Sequence, residues 1–178
     1  MIDLAIKITG SVLIAAGGFM VGQKIKKEYK KRRELLQAMQ DALKYADDAI
    51  AIENTLLEDV LVSCGAKFFP KDKGNDLFTL SASCLRSEFG SFENAWTKAC
   101  ESFFPENPCL REKDFESISG IGKALGLANT QRQTAHITAM VKRLSDLEEE
   151  AAQNENKEGK NAVKIAVAVS AAIIVILF

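Results

Sequence analysis

The stretch NAVKIAVAVSAAIIVILF (161–178) closes a chain in which 26% of residues are charged, yet it holds a single charge, Lys164. At 1.5 Å of rise per residue, 162–178 makes a helix of about 25 Å, against a bilayer hydrocarbon core of about 30 Å. A second run of the same kind, LAIKITGSVLIAAGGFMVG (4–22), carries only Lys7 and makes a helix of about 28 Å. Each lysine lies near one end of its run, where a long side chain can reach the interface. Two membrane-spanning helices are therefore expected, with a tail lying in the interface as the alternative for the shorter one. A cleaved secretory signal is the alternative for the first. Its positive charges would precede the apolar run, whereas here they follow it, and MVGQKIKKEY offers no small-residue cleavage site.

Charge places the segments between the runs. KIKKEYKKRR (24–33) holds Lys24, Lys26, Lys27, Lys30, Lys31, Arg32 and Arg33 against one Glu, while the whole chain sums to −1. Lys157, Lys160 and Lys164 flank the second run on its inner side. The positive-inside rule then puts 23–161 in the cytoplasm and both termini on the far side. On that reading the chain stops where its second anchor has crossed. Three segments follow: an N-terminal transmembrane anchor (1–22), a cytoplasmic helical domain with a basic juxtamembrane start (23–161), and a C-terminal transmembrane anchor (162–178). Length and an apolar content of 47% allow one ordinary core and exclude a disordered composition.

Cys64, Cys84, Cys100 and Cys109 are scattered, without a C-x-x-C, and the chain has one histidine. Reduced thiols of a cytosolic domain fit best. Two disulfides on the far side are the competing arrangement.

The central segment reads as all helix. Leu36, Met39, Leu43, Ala46 and Ile50 make one apolar face over 24–52. TLLE (55–58) has the form of a capping box, with Thr55 as N-cap and Glu58 reaching back, for a helix ending at Cys64 with Gly65 as its stop. A third helix is expected over about 75–88, closed by Gly90, and a fourth opens at Ser91 with Phe92, Trp96, Ala99 and Phe103 on one face. A fifth is expected over 112–125, with Phe115, Ile118, Ile121 and Leu125 inward and Gly126 closing it. TQRQ (130–133) opens a long sixth helix to about 158, striped by Ile137, Met140 or Val141, Leu144, Leu147 and Ala151. The fold class is therefore all-α, a bundle of roughly six helices flanked by transmembrane helices. An even number of up-down helices returns the chain to the side it left. Glu148, Glu149, Glu150 and Glu155 then come level with the basic run, where cross-helix ion pairs are expected to set register.

No constellation in the chain carries chemistry. GIGKALG (120–126) lacks the Ser/Thr and the preceding strand of a phosphate-binding loop, and reads as small residues at a tight helix contact. His136 has no Cys or Ser partner nearby in sequence, and three consecutive acids at 148–150 point around a helix rather than to one metal. No catalytic residue, metal, cofactor or small-molecule substrate is expected. The basic run determines topology first. Membrane lipids with anionic headgroups are its second expected partner. Nucleic acid is the least suited, because the run abuts a membrane and has only Tyr29 as an interleaved aromatic.

Small residues give each anchor a packing face: Ser11, Ala15, Gly18 and Gly22 on the first, and Ala162, Ala166 and Ser170 on the second. The two spans are expected to pair through them.

The order of these elements resembles the stage III sporulation protein AB family of endospore-forming bacteria. IGKALGLANTQRQ (121–133) is similar to that family's LG…LG-x-S-D-x-x-x-Q stretch, with Gly122, Leu125, Gly126 and Gln133 at matching spacing. Ala128 and Asn129 stand where Ser-Asp is usual, and Thr130 is placed to take over the helix start. ENTLLEDVL (53–61) resembles its T-P-L-x-E-A-L segment with Leu56 at the Pro position, and NAW (94–96) its E-A-W. The resemblance implies a platform or adaptor of the mother-cell transenvelope channel. Its soluble domain is similar to that of the F-type inner-membrane platform protein of type II secretion and type IV pili. A cytoplasmic secretion-type ATPase and other channel membrane proteins are the implied partners. Gly122, Leu125, Gly126, Asn129, Thr130 and Gln133 are then a candidate partner interface. In an up-down bundle the turn at 126–130 lies at the end distal to the membrane, where the backbone N–H groups opening the last helix can receive a partner carboxylate. A platform outside sporulation and a membrane-bound enzyme are the alternatives.

Overall fold

The computed structural model describes residues 2–51, 55–71, 74–87, 91–125 and 130–177. The described residues form helices and connecting turns, with no strand. The helices are α1 (Ile2–Ala51), α2 (Leu57–Phe68), α3 (Leu77–Arg86), α4 (Phe92–Phe103), α5 (Glu112–Ser119), α6 (Ile121–Leu125), α7 (Thr130–Asn154) and α8 (Lys160–Leu177). A single π-helical turn, Glu155–Gly159, joins α7 to α8. The first anchor and the first domain helix are one element, because no Gly or Pro stands between Gln23 and Ala51 to interrupt the backbone ladder.

The chain divides into two compact units, Met1–Arg33 with Glu149–Phe178, and Glu34–Glu148. The second holds a single aromatic-rich core. Leu36, Met39, Leu43 and Ala46 of α1 are fully buried, and Ile137, Leu144 and Leu147 of α7 are buried too, as their spacing predicts. Trp96 is completely enclosed; its indole Nε1–H donates to the Ile118 carbonyl at 2.9 Å, so the ring is buried without an orphaned donor. Phe78 meets Trp96 edge-on at 5.4 Å, and Phe92 lies 5.6 Å from it. α3 is capped by Asp76, which accepts from Thr79 N–H at 2.9 Å, and α4 by Ser91, which accepts from Asn94 N–H at 3.3 Å.

Several expectations are corrected. The TLLE capping box does not form. Leu56 is the N-cap of α2 without a side-chain bond, and the Glu58 carboxylate is engaged by Arg86 of α3. Gly65 does not stop α2, which runs on to Phe68. It is buried where α2 meets α3, and a Cβ there would overlap the Thr79 hydroxyl and come within 2.8 Å of the Asp76 carboxylate. The glycine therefore answers a close approach rather than a turn. The fifth helix is two helices divided at Gly120. Phe115 is not core; it is 44% exposed and meets Phe104 edge-on at 4.5 Å. Asp114 takes the inward position instead, accepting from Arg111 N–H at 2.8 Å to close the start of α5, which turns the buried face to Asp114, Ser117 and Ile118. Gly90, Gly126 and the cap ahead of Thr130 fall outside the described residues.

The four cysteines form no disulfide. Burial, with the Asp76 carboxylate adding to it and Lys67 opposing, pushes the Cys64 thiol up to about 12, and burial does the same to Cys100. Cys84 and Cys109 are half-buried. Between the ordinary 9.0 and about 12 lies a roughly 1,000-fold difference in thiolate at neutral pH. At pH 8 an alkylating reagent should therefore modify Cys64 and Cys100 about 1,000-fold more slowly in the folded chain than in the unfolded one. Unfolded chains lose these two protons above 9.0 while the folded chain keeps them until about 12, so the pair should weaken the fold as pH rises through that window. Equal labelling of these two in the folded and the unfolded chain would contradict this burial.

Candidate functional site

The anchor unit pairs the start of α1 with α8 along a seam of small residues. At Gly18, an added Cβ would collide with the Ser170 hydroxyl and come within 3.0 Å of the Ala166 carbonyl. At Gly22 it would lie 2.8 Å from the Val163 Cα and 3.2 Å from the Ala166 Cβ. The contact with Val163 is backbone on backbone, so no side-chain rotation can relieve it. Ser170 is buried and returns its hydroxyl proton to the Ala166 carbonyl at 2.9 Å, which keeps it satisfied in an apolar setting. Of the small residues read from the sequence, the structure brings together Gly18, Gly22, Ala162, Ala166 and Ser170. Ser11 is partly covered and bonds back to the Lys7 carbonyl at 2.9 Å, while Ala15 is exposed. Large apolar side chains turn outward: Val12, Leu13 and Met20 on α1, and Ile165, Val175 and Ile176 on α8, are each more than 60% exposed. Both helices are long and apolar enough to cross a membrane.

The seam continues into the polar part of the hairpin. Gly159, in the π turn, lies where a Cβ would meet Lys26 Cγ at 3.4 Å and Tyr29 at 3.8 Å. The extra residue of a π turn resets the helix face, and it puts this glycine against α1. Arg33 then meets Glu155 at 3.4 Å. Arg32 donates to Glu150 Oε1 at 3.4 Å from Nη1 and 3.5 Å from Nη2, and the same oxygen receives the Asn154 amide at 3.5 Å. The Arg32 side chain is 2% exposed and that of Glu150 is 37% exposed. A cation so enclosed is retained only with an acceptor beside it, so the pair fixes register more than it adds stability. Lys24, Lys27, Lys30 and Lys31 are exposed, and Lys26 is partly covered.

The family-like stretch lies in the other unit. Gly122 is buried with Trp96 side-chain atoms 3.0 Å from where its Cβ would stand, so it is a tight helix contact. Leu125 is buried in the core, and Gln133 is 5% exposed with its Nε2 unpaired among the described residues. Gly126, Asn129 and the side chain of Thr130 lie outside the described residues. His136 is exposed, and among the described residues no group of three His, Cys, Asp or Glu converges. Sequence reasoning took Gly65 for a helix stop rather than a close contact, and missed Gly159 and the burial of Arg32. A glycine inside an otherwise uninterrupted helical pattern was the available signal for the first two.

An all-helical core unit carried in sequence between two apolar, mutually packed helices defines the class: an α-helical protein with two helices long and apolar enough to cross a membrane. The model of the stage III sporulation protein AB family matches residues 7–178, and the chain belongs to that family. A solved structure titled stage III sporulation protein AB is similar in fold, with a TM-score of 0.64 over 71% of this chain and 98% of that one, at 19% identity. No curated protein matches the chain.

Replacing Gly22 with Leu should lower the melting temperature of the full chain in detergent or bilayer by the equivalent of about 1–3 kcal/mol, since backbone must move to admit it. Gly18→Leu should lower it as well, because the Ala166 carbonyl and the Ser170 Cβ, each 3.0 Å from the added Cβ, do not move aside when the hydroxyl rotates. Leu13→Ala, on a side chain 68% exposed, should stay within about 0.5 kcal/mol. Equal losses from Gly22→Leu and Leu13→Ala would contradict the seam.

Proposed function

We propose that the protein is a non-enzymatic, membrane-anchored platform of the sporulating mother cell. In this reading both apolar helices cross the membrane around the forespore, the unit Glu34–Glu148 works in the cytoplasm, and a secretion-type ATPase docks on it alongside other channel membrane proteins. The observation that carries the proposal is the family match over residues 7–178, which takes in both apolar helices as well as the helical unit. Membership in a sporulation family supports a sporulation role over a general secretion platform. The cytoplasmic placement rests on the basic run 24–33 and on Lys157, Lys160 and Lys164, which flank the apolar helices on their inner sides. The docking surface is assigned to the stretch around Gly122, Leu125, Gly126, Asn129, Thr130 and Gln133, which carries the family-like spacing.

One preparation tests both parts. Intact protoplasts of a sporulating culture taken before engulfment and treated with an impermeant maleimide should leave Cys84 and Cys109 unlabelled until the membrane is opened. Full-length protein solubilised from the same cells should then retain an ATPase, and Asn129→Lys should reduce that capture at least tenfold without shifting the melting temperature. Labelling in intact protoplasts would reject the orientation. Undiminished capture by Asn129→Lys, or loss of folding in that variant, would reject the docking surface.

A further inference from the structure

The seam between α1 and α8 also fixes which of their residues share a depth. A Cβ added at Gly22 would lie 2.8 Å from the Val163 Cα and 3.2 Å from the Ala166 Cβ, so Lys164, between them in sequence, stands about level with Gly22. Gly18 falls between Ala166 and Ser170 in the same way, so the two antiparallel helices advance in step. Lys164 is exposed, and so is Lys24, two residues beyond Gly22 on α1. The pair therefore meets its first charges at one end at nearly one level. At the other end the first charge is Lys7 of α1, which is exposed too.

Between these levels neither helix carries a charge. Ile8, Val12, Leu13 and Met20 of α1 and Ile165 and Val169 of α8 are each more than half exposed, so the outer surface of this slab is apolar. Taken singly, the runs 4–22 and 162–178 make helices of about 28 and 25 Å, but each includes its own lysine. Paired, the two lysines trim one slab from opposite ends. From Lys7 to the level of Gly22 is 15 residues, and that is about 22 Å of helix. A hydrocarbon core of about 30 Å exceeds it by roughly 8 Å. Tilt only shortens the projected span. Each ammonium can be lifted outward on its four-carbon stem, but this immobilises a side chain rich in rotamers and leaves the helix itself short.

We infer that the paired anchor is fitted to a hydrocarbon core thinner than the average bilayer's and gathers short-chain lipid around itself. The partner is the acyl layer rather than the headgroup: what is matched is the distance between Lys7 at one end and Lys164 with Lys24 at the other. The inference rests on the membrane-anchored reading. It goes beyond that reading because two spanning helices of ordinary length would fit an ordinary bilayer.

Lipid selectivity at the surface of the full chain tests this. Leu13 is 68% exposed and stands near the middle of the slab, so Leu13→Trp places a reporter against the acyl chains. The native Trp96, the single tryptophan of the chain, is completely enclosed and supplies the background. The Leu13→Trp chain is reconstituted in mixtures of dibrominated phosphatidylcholine with dimyristoleoyl, dioleoyl or dierucoyl phosphatidylcholine, and quenching gives the relative binding of each chain length. Dimyristoleoyl lipid should bind at least about twofold better than dioleoyl, and dierucoyl should bind least. Adding Lys7→Leu/Lys164→Leu leaves Asp3 and Lys24 as the next charges on α1, 21 residues apart, and that is about 32 Å. The preference should then move to dioleoyl lipid. Lys160→Leu, outside the slab beside Gly159, should leave it unchanged. If the double variant does not insert, Lys7→Leu alone should give an intermediate preference. Preference of the parent for dioleoyl lipid, no preference among the three, or an unmoved preference after the lysine replacements would each overturn the inference. Absence of quenching by any brominated lipid would instead reject the anchored reading itself.

Discussion

A Cβ added at Gly22 would stand 2.8 Å from the Val163 Cα, so backbone must shift to admit one. Inside a bilayer, lipid tails are as apolar as leucine, so apolar side chains alone give two helices little reason to pair. Close packing of small residues supplies that reason. Once Gly22 is against Val163 and Gly18 against Ser170, the rest of the register follows. Moving up α1 by successive turns brings Lys26 and Tyr29 to Gly159, then Arg33 to Glu155, as the partners step back along the returning helix. An ordinary α-helical continuation from α7 into α8 would not keep the same face toward α1 over this length. The π turn at Glu155–Gly159 resets it by one residue.

Arg32 shows how strict that register is. Its guanidinium is enclosed to 2%, and its contacts to Glu150 at 3.4 and 3.5 Å are long for charge-assisted bonds. An enclosed cation that lost its carboxylate would be costly, so a register that carried Arg32 past Glu150 to Ala151 or Ala152 is disfavoured. The pair therefore acts against wrong alignments more than it adds to the right one. Lys24 and Lys27 are exposed and carry no such constraint.

The periodic elements were readable from the residues alone because burial and spacing report the same thing. Leu36, Met39, Leu43 and Ala46 are apolar every third or fourth position and are fully buried, and Trp96 with Phe92, Ala99 and Phe103 behaves likewise. What was not readable depended on partners distant in sequence. Thr55 and Glu58 have the spacing of a cap, but Arg86, 28 residues on, engages the glutamate. Phe115 has the spacing of a core residue, but Asp114 is needed inward to close α5. Gly65 looks like a stop until Asp76 and Thr79 are placed against it. In the anchor unit the small residues at Gly18, Gly22, Ala162, Ala166 and Ser170 were legible as faces. Gly159 was marked only by being a glycine inside a helical pattern, because a π turn leaves no mark in hydrophobic spacing.

The account depends on the two apolar helices of one chain lying backbone to backbone with Gly22 opposite Ala166. Replacing the four native cysteines and introducing Gly22→Cys with Ala166→Cys tests this directly. A Cβ added at Gly22 would stand 3.2 Å from the Ala166 Cβ, close to the roughly 3.5–4.5 Å that a disulfide spans. Oxidation in the bilayer should close this pair within single chains, seen as a faster-migrating monomer, and should leave Gly22→Cys with Val167→Cys, whose valine is 46% exposed, unclosed. Cross-linking that appears only between chains, or equally in both pairs, would contradict the arrangement.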